Sequence, residues 1–239
     1  MKSETAIRQR QRNPDQTRAA ILEAAFHEIH AHGFQAASLE RILSQTGVTK
    51  GALYHHFPSK HALGLAVVEE VISEMIFQQR MGGLAETDDP VGVMVEKIEA
   101  FALEFDPQLA ALGCPMNNLI QEMSPLDEDF HDRLTAILEN WRELVAKALK
   151  RGKARGAVRA DLDCDAAALF IVASIQGIGG LTKALTSEKI HRGVLDQLRS
   201  YVLSLSPSGA GSRRGGKPAL VAVDSKKAGG GMKKQGTKK

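Results

Sequence analysis

Five neighbouring residues in the first quarter of the sequence are suited to contact a polyanion. Thr49, Lys50, Gly51, Tyr54 and His55 all lie within the stretch TKGALYHH. Hydroxyl, ammonium and ring N–H groups donate hydrogen bonds to phosphate oxygens, and a glycine lets the backbone come close to a ligand. This chemistry predicts an exposed binding surface.

Two short helices are predicted to hold this surface. Ser38 can cap the first helix, and Gly47 ends it. Thr49 can cap the second helix, and Pro58 prevents its continuation. Two short helices joined by a tight glycine turn have the pattern of a helix-turn-helix, in which the second helix enters the major groove of DNA by its N-terminal end.

The rest of the sequence also has helical periodicity. Apolar residues recur at helical spacing between Asn13, a candidate cap, and Gly33, and again from Ala62 towards Gly82. Further helices are predicted over 90–106, after Pro115, after Ser124-Pro125 as far as Arg151, over 163–185 and over 187–205. Period-two alternation is missing, so the predicted fold class is all-α, with an N-terminal three-helix domain and a C-terminal helical body.

Charge is unevenly distributed along the chain. The first 60 residues hold 8 Lys and Arg against 5 Asp and Glu, whereas residues 61–205 hold 14 against 22. The last 34 residues hold 9 against 1 and are rich in Gly and Lys. A basic head on an acidic body predicts that the head meets a polyanion. The predicted units are 1–58 for DNA binding, 59–205 for ligand binding and dimerisation, and 206–239 as a disordered basic tail.

Several other classes of protein are disfavoured. The two cysteines form neither a disulfide framework nor a metal-binding pair, and HEIHAH at 27–32 lacks the histidine spacing of a zinc protease. GIGG at 177–180 follows no strand, so we expect no dinucleotide site. We therefore expect no enzyme activity, no cofactor and no metal. The polar N-terminus and the absence of an 18-residue apolar run lead us to expect a cytoplasmic location without a membrane segment.

The motif resembles the DNA-binding domain of the TetR family of transcriptional regulators. The resemblance covers residues 14–66 and includes GVTKGALYHHFPSKHAL. It implies a homodimeric regulator, most simply a repressor, that binds a palindromic operator and is released by a small-molecule effector. It also implies that the DNA-facing positions are Thr49, Lys50, Gly51, Tyr54, His55 and Lys60, with Ser38 near the DNA backbone. A packing role for Tyr54 is the alternative at that position.

Two other functions compete with this one. The basic tail would suit a DNA-compacting protein, but the long acidic helical body would not. An enzyme of unknown type is the weaker alternative, since the sequence contains no phosphate-binding loop and no nucleophile-elbow motif. For the tail itself, we expect an added DNA affinity that is sensitive to salt and independent of DNA sequence.

The resemblance places the dimer interface on the last two long helices. Gly177, Gly179 and Gly180 fall inside the first of them, where each costs about 1 kcal/mol relative to alanine. We expect close helix packing to explain these glycines, with a kink beside the effector pocket as the alternative.

Cys114 is the candidate sensor residue. A Gly-Cys pair before a short polar helix resembles the TetR-type repressors that respond to electrophiles and oxidants, and Lys183 falls where their partner lysine lies. Pro115 departs from that pattern, and a pocket-lining cysteine is the alternative. Cys164 is a poor thiolate site because acidic residues surround it. The candidate pocket residues are Phe101, Phe105, Met116, Met123 and Trp141, for each of which core packing is the alternative.

Overall fold

The computed structural model describes residues 14–207, and all regular structure in this range is helical. The helices are α1 (Pro14–His32), α2 (Leu39–Thr46), α3 (Lys50–His56), α4 (residues 60–81), α5 (Pro90–Leu103), α6 (Pro107–Leu112), α7 (Pro115–Met123), α8 (Glu128–Ala154), α9 (Cys164–Leu185) and α10 (Glu188–Leu203). The predicted all-α class is confirmed over the described residues. The predicted Asn13 cap and the predicted tail beyond Pro207 lie outside them.

Side-chain caps start the helices of the N-terminal domain where the local sequence predicts them. The hydroxyls of Ser38, Thr49 and Ser59 each accept a hydrogen bond from the backbone N–H three residues later. Gly47 ends α2 with a φ of 62°, a left-handed conformation that a side chain would disfavour. These local signals place the turn between α2 and α3 directly before the candidate DNA-contacting residues.

Two helix boundaries differ from prediction. The segment predicted as one helix over 90–106 ends at Leu103, and a further helix, α6, follows. Asp106 precedes Pro107, which disfavours helical backbone, and its carboxylate caps α6. The long helix predicted to follow Ser124-Pro125 and to run to Arg151 begins at Glu128, because Asp127 accepts the capping hydrogen bond, and it ends at Ala154.

The fourth helix changes its hydrogen bonding along its length. α4 starts as Lys60–Ala66, widens to the π pattern over Val67–Ile72, returns to the α pattern over Ser73–Ile76 and widens again over Phe77–Met81. Short π segments inside helices are uncommon and frequently lie at functional sites. α4 therefore joins the N-terminal domain to the body through two sections of altered pitch.

The body is built around the long helix α8. It packs against α9 along its length, while α10 packs on both α5 and α9. Phe130 and Trp141 of α8 are buried at 0% and 1% exposure and form the centre of this core. In the N-terminal domain, Leu53 and Phe57 anchor the short α3 against α1.

Helix α9 is unusually apolar. Although the sequence has no uninterrupted run of 18 apolar residues, α9 is the one described helix long and apolar enough to cross a bilayer by length and composition alone. One face of it packs on α8, and the other leaves Leu169 and Phe170 more than half exposed. This composition also suits a helix that buries its second face against a partner.

Candidate functional site

The surface of α3 presents the predicted DNA-contacting residues on one side. Lys50, Gly51, Tyr54 and His55 are exposed, whereas Leu53 between them is fully buried. A Cβ added at Gly51 would meet no atom within 4 Å, so the packing of the chain does not require glycine there. Tyr54 is 41% exposed, so part of its surface is packed and the rest is open to solvent.

Ser38 and Thr49 hold the helix ends that frame this surface. Their hydroxyl oxygens accept capping hydrogen bonds at 3.4 and 3.2 Å. The backbone N–H of Ser38 also donates to Glu28, a buried carboxylate of α1 that receives a second hydrogen bond from Arg41. The hydrogen bond from Arg41 is the main reason that the pKa of Glu28 is lowered. Glu28 was not predicted; its signal is an acidic residue on the apolar face of α1.

Lys60 lies at the start of α4 and is turned towards the α1–α2 loop. Its ammonium donates to the carbonyl of Gln35 at 2.9 Å and sits 5.0 Å from the ring centroid of Phe34. In this arrangement Lys60 is half-buried, in contrast to the exposed Lys50 on α3.

A cavity of about 420 Å³ lies inside the body, a size typical of sites for small organic molecules. Its wall draws on α1 and on α4 to α10. Phe101, Phe105 and Trp141 line it, as the sequence-based hypothesis places them. Met116 and Met123 do not line it. Together with Leu119 they recur at helical spacing and form the buried face of α7. They therefore belong to the packed core and not to the cavity wall.

Hydrogen bonds fix the polar part of the cavity wall. His191 lies with Nδ1 3.4 Å from the Thr182 hydroxyl and Nε2 3.3 Å from the carbonyl of Phe101. On the opposite side, His30 of α1 has Nε2 at 2.8 Å from the carbonyl of Gly113. Burial, chiefly, lowers the pKa of His30 despite this hydrogen bond. These contacts tie α1, α5 and the α6–α7 loop to the cavity.

Cys114 and Lys183 flank the same loop. Cys114 is half-buried at the N-cap position of α7, lines the cavity, and has its sulfur 3.9 Å from Oε1 of Gln176. The side chain of Lys183 passes over Gly113, and its ammonium donates to Asn118 at 3.1 Å.

The second cysteine is buried, and the pKa of the Cys164 thiol is raised chiefly by that burial. The neighbouring carboxylates, which the sequence suggested as the cause, contribute less to raising this pKa than burial does.

The three glycines of α9 have different surroundings. A Cβ at Gly179 would lie 2.9 Å from Cβ of Cys114, so this glycine permits the close approach of α9 and the α6–α7 loop. Gly180 lies near Asn117 at an ordinary contact distance, and Gly177 faces open space. Within this chain, close packing therefore explains Gly179 and does not explain Gly177.

Two residues of the site were not predicted from the sequence. Arg80 of α4 lines the cavity with its guanidinium 3.8 Å from the ring centroid of Phe101. Glu122 near the end of α7 accepts hydrogen bonds from the backbone N–H groups of Phe34 at 2.9 Å and Gln35 at 2.8 Å. Neither residue belongs to a local motif, because its partners are distant in sequence.

Among the described residues, His61, Asp127 and Asp129 form the one group with the spacing of metal ligands. Each of them already has a protein partner. His61 lies 2.9 Å from Asp127, which also caps α8, and Asp129 accepts a hydrogen bond from Arg133. These contacts explain the cluster as an ion-pair network at the start of α8.

Comparison with known proteins finds relatives along most of the chain. The HTH-type transcriptional repressor DhaR of Mycobacterium sp. (strain GP1) is 29% identical over 194 residues, covering 80% of this chain and 93% of DhaR. An uncharacterized HTH-type transcriptional regulator in the lacX 3' region of Lactococcus lactis subsp. lactis is 30% identical over 135 residues, covering 56% of this chain and 68% of that protein. The crystal structure of a TetR transcriptional regulator from Chloroflexus aurantiacus J-10-FL matches with a TM-score of 0.69 at 25% identity, covering 80% of this chain and 96% of that one.

An exposed α3 on its supporting helices, joined to a helical body with a cavity, defines the class of helix-turn-helix transcriptional regulators. Residues 21–67 match the model for bacterial regulatory proteins of the tetR family, and residues 94–198 match the tetracyclin repressor-like C-terminal domain. The chain belongs to the TetR family of transcriptional regulators.

Proposed function

We propose that this regulator is a homodimeric repressor that binds a palindromic operator and releases it when a small molecule occupies the cavity. The observation that carries the proposal is the double role of α1. This helix packs against α2 and α3, and it also contributes Phe26 and His30 to the cavity wall. A ligand that favours one position of α1 thereby favours one position of α3. DhaR, a repressor by name, supports repression as the mode of action.

The DNA contacts are assigned to the exposed side of α3 and its flanks. Lys50, Tyr54 and His55 donate to phosphates or base edges, and Gly51 lets the backbone approach. Ser38 and Thr49 accept capping hydrogen bonds through oxygen, so each hydroxyl keeps its own proton for donation to a phosphate. To contact DNA, the Lys60 ammonium gives up its hydrogen bond to the carbonyl of Gln35 and donates to a phosphate oxygen instead.

A route for the signal runs through α7. This helix begins at the cavity wall with Cys114 and Pro115, and near its other end Glu122 bonds to the α1–α2 loop. Gly33 in that loop has a φ of 79°, and a Cβ there would lie 2.8 Å from Oε2 of Glu122. A ligand that displaces the start of α7 therefore moves the loop that precedes α2. The route joins the proposed DNA-binding unit, 1–58, to the proposed ligand-binding unit, 59–205.

A covalent trigger at Cys114 is the second candidate for the signal. Its thiol lines the cavity at the start of α7 without serving as a side-chain cap, and the charge of Arg80 interacts with it. The thiolate is the form that adds to an electrophile. In this arrangement Lys183 supports the loop through Asn118, and Arg80 is the cation that interacts with the sulfur.

The proposed function is tested by selecting operator DNA from a random pool with the purified full-length chain. We expect an inverted repeat whose half-sites lie about one DNA turn apart. Cavity ligands found by thermal-shift screening should then release that operator. Selection of unrelated sequences with equal affinity would contradict operator recognition, and release that does not depend on cavity binding would contradict the effector site.

The covalent trigger is tested with a maleimide and a quinone on the operator-bound protein. Cys114→Ser should lose the release, whereas Cys164→Ser, at a buried thiol, should keep it. Lys183→Ala should slow the reaction less than Arg80→Met does. Mass spectrometry locates the adduct, and normal release from Cys114→Ser would reject the trigger.

A further inference from the structure

The cavity contains a cation without a hydrogen-bonding partner among the described residues. Ten arginines lie between residues 14 and 207. Nine of them donate a guanidinium hydrogen bond to an oxygen: Arg18, Arg41, Arg133, Arg142, Arg151, Arg155, Arg159, Arg192 and Arg199. Arg80 has no such bond within the described part of the chain. It is also the arginine that lines the cavity.

The position of Arg80 is set by an aromatic contact. Its guanidinium carbon lies 3.8 Å from the ring centroid of Phe101, close enough for a cation–π contact. Phe101 is in turn fixed by His191, at a ring-centroid distance of 5.0 Å. The Phe101 ring covers the guanidinium from one side, and the N–H groups of any guanidinium lie in its own plane. That plane matches the two oxygens of a carboxylate.

The Arg80 guanidinium is half-buried, and none of its described neighbours pairs with it. Burial lowers the pKa of Arg80, and Cys114 and Glu104 oppose the change only in part. An arginine stays charged even so, and a charge that is partly withdrawn from water is stabilised by a partner of opposite charge. Glu104 also lines the cavity, but no carboxylate of the described residues lies within 4.0 Å of the Arg80 nitrogens. A ligand carboxylate would supply the missing partner.

We propose that the effector is a small organic monoanion with a flat apolar body, whose carboxylate pairs with Arg80. The proposal rests on the assignment of the cavity as the effector site. Phe101, Phe105 and Trp141 supply the aromatic wall for the apolar body. Glu104 and Asp106 also line the cavity, and their charges disfavour a ligand with a second negative group.

The protein contains an intrinsic fluorophore at this site. Trp141 is the single tryptophan of the sequence and lines the cavity. The probes are benzoate, trans-cinnamate and 2-naphthoate, each paired with its primary amide, together with the dianion terephthalate. Fluorescence of Trp141 measures binding, and a fluorescent operator duplex measures release in parallel.

We expect at least one carboxylate to bind the wild type about tenfold or more tighter than its amide, and terephthalate to bind more weakly than benzoate. Arg80→Met should bring that carboxylate to the affinity of its amide and leave the amide unchanged. Arg80→Gln is the second variant in case Met disturbs the wall, and circular dichroism checks both folds. Arg155→Met, which removes an exposed arginine outside the cavity, should bind all probes like the wild type.

Equal binding of amides and carboxylates, unchanged carboxylate affinity in both Arg80 variants, or no binding of any carboxylate at about 10 mM overturns the assignment of Arg80. Two further outcomes distinguish the role of Arg80 from the proposed release of the operator by a cavity ligand. If carboxylates bind through Arg80 without releasing the operator, the anion site stands and the proposed switch does not. If uncharged aromatics bind and release the operator equally well, the switch stands and the role of Arg80 does not.

Discussion

At the scale of single residues, the phosphate contacts are open to a direct test. Tyr54→Phe removes one hydroxyl from the exposed edge of α3, and Lys60→Ala removes one cation at the start of α4. We expect each to weaken operator binding by roughly 3- to 30-fold, because a hydrogen bond to a charged group contributes about 1–2 kcal/mol. The loss should be similar across operator variants, since phosphate contacts carry little sequence information. Fluorescence anisotropy over a salt series measures both effects.

The control for this test is Lys97→Ala. Lys97 is a cation of α5 whose ammonium donates to the carbonyl of Gln78, far from α3 in the sequence. It should bind the operator like the wild type. Unchanged affinity in both Tyr54→Phe and Lys60→Ala would remove these two residues from the interface.

His30 predicts a pH dependence of stability. Its pKa is lowered in the folded chain, mainly by burial and further by the charges of Lys183 and His27. Between an unfolded value of about 6.5 and the lower folded value, the unfolded chain binds a proton that the folded chain does not. The stability associated with neutral His30 is therefore present above about pH 6.5 and is lost as the pH falls below it.

We expect the midpoint of urea unfolding to fall between about pH 7.5 and 5.5. His30→Gln keeps a donor for the Gly113 carbonyl but cannot titrate, so its midpoint should fall less. The matched control is His131→Gln, at an exposed position of α8, which should follow the wild type. Glu28 and Asp127, whose pKa values are lowered, lose their contribution in a more acidic range. Parallel pH profiles of wild type and His30→Gln would contradict the assignment.

The contrast between Tyr54 and Arg80 shows which site residues a sequence can predict. Tyr54 belongs to a run of seven residues whose caps, turn and buried anchor are all local. Arg80 was missed because its significance depends on Phe101 and on the absence of a partner among the described residues, and both depend on tertiary packing. Met116 and Met123 were wrongly placed for the same reason. Their apolar character is equally suited to a pocket or a core, and only the orientation of α7 decides between them.

At the scale of elements, α7 is predicted to transmit the signal. The two carboxylate oxygens of Glu122 each accept a hydrogen bond from one backbone N–H group. In Glu122→Gln one of these oxygens becomes an NH2 group, which cannot accept a hydrogen bond. We expect a loss of about 1–3 kcal/mol in unfolding free energy and a weaker response of operator binding to the effector. Gly33→Ala disturbs the same contact from the loop, because its Cβ would meet Glu122.

The control is Glu128→Gln, which changes an exposed carboxylate in the first turn of α8. Effector titrations of operator complexes measure the coupling, and chemical unfolding measures the stability. The double variant Gly33→Ala, Glu122→Gln should cost less than the sum of the single changes, since both act on one contact. Additive losses with an unchanged effector response would assign Glu122 a purely structural role.

The helices themselves were largely predictable, for reasons that vary along the chain. Ser38, Gly47 and Thr49 give α2 and α3 local start and stop signals. The separation of α5 from α6 was missed, although Asp106 before Pro107 is also a local signal. The π segments of α4 were not predicted from the sequence.

At the scale of the whole molecule, α9 carries two kinds of surface. Its inner side holds Gly179 against Cys114, and its outer side exposes Leu169, Phe170 and Leu181. Gly177 lies on the outer side, where an added Cβ would meet no atom of the described residues within 4 Å. A helix with small residues among exposed apolar ones is suited to close packing against another helix. We propose that a second copy of the chain supplies that helix.

Gly177→Leu is therefore predicted to separate folding from dimerisation. The isolated chain should become no less stable, because leucine exceeds glycine in helix propensity by roughly 0.5–1 kcal/mol and an added Cβ meets no atom of the described residues within 4 Å. The dimer should weaken by about 100-fold, since leucine holds the two helices apart, and Leu169→Arg should weaken it by burying a charge.

Leu126→Arg, at a 64% exposed position outside α9, is the control. Analytical ultracentrifugation measures the dimer, and operator binding should fall with it because one domain reaches only one half-site. A Gly177→Leu chain that remains dimeric at nanomolar concentration would place the interface elsewhere.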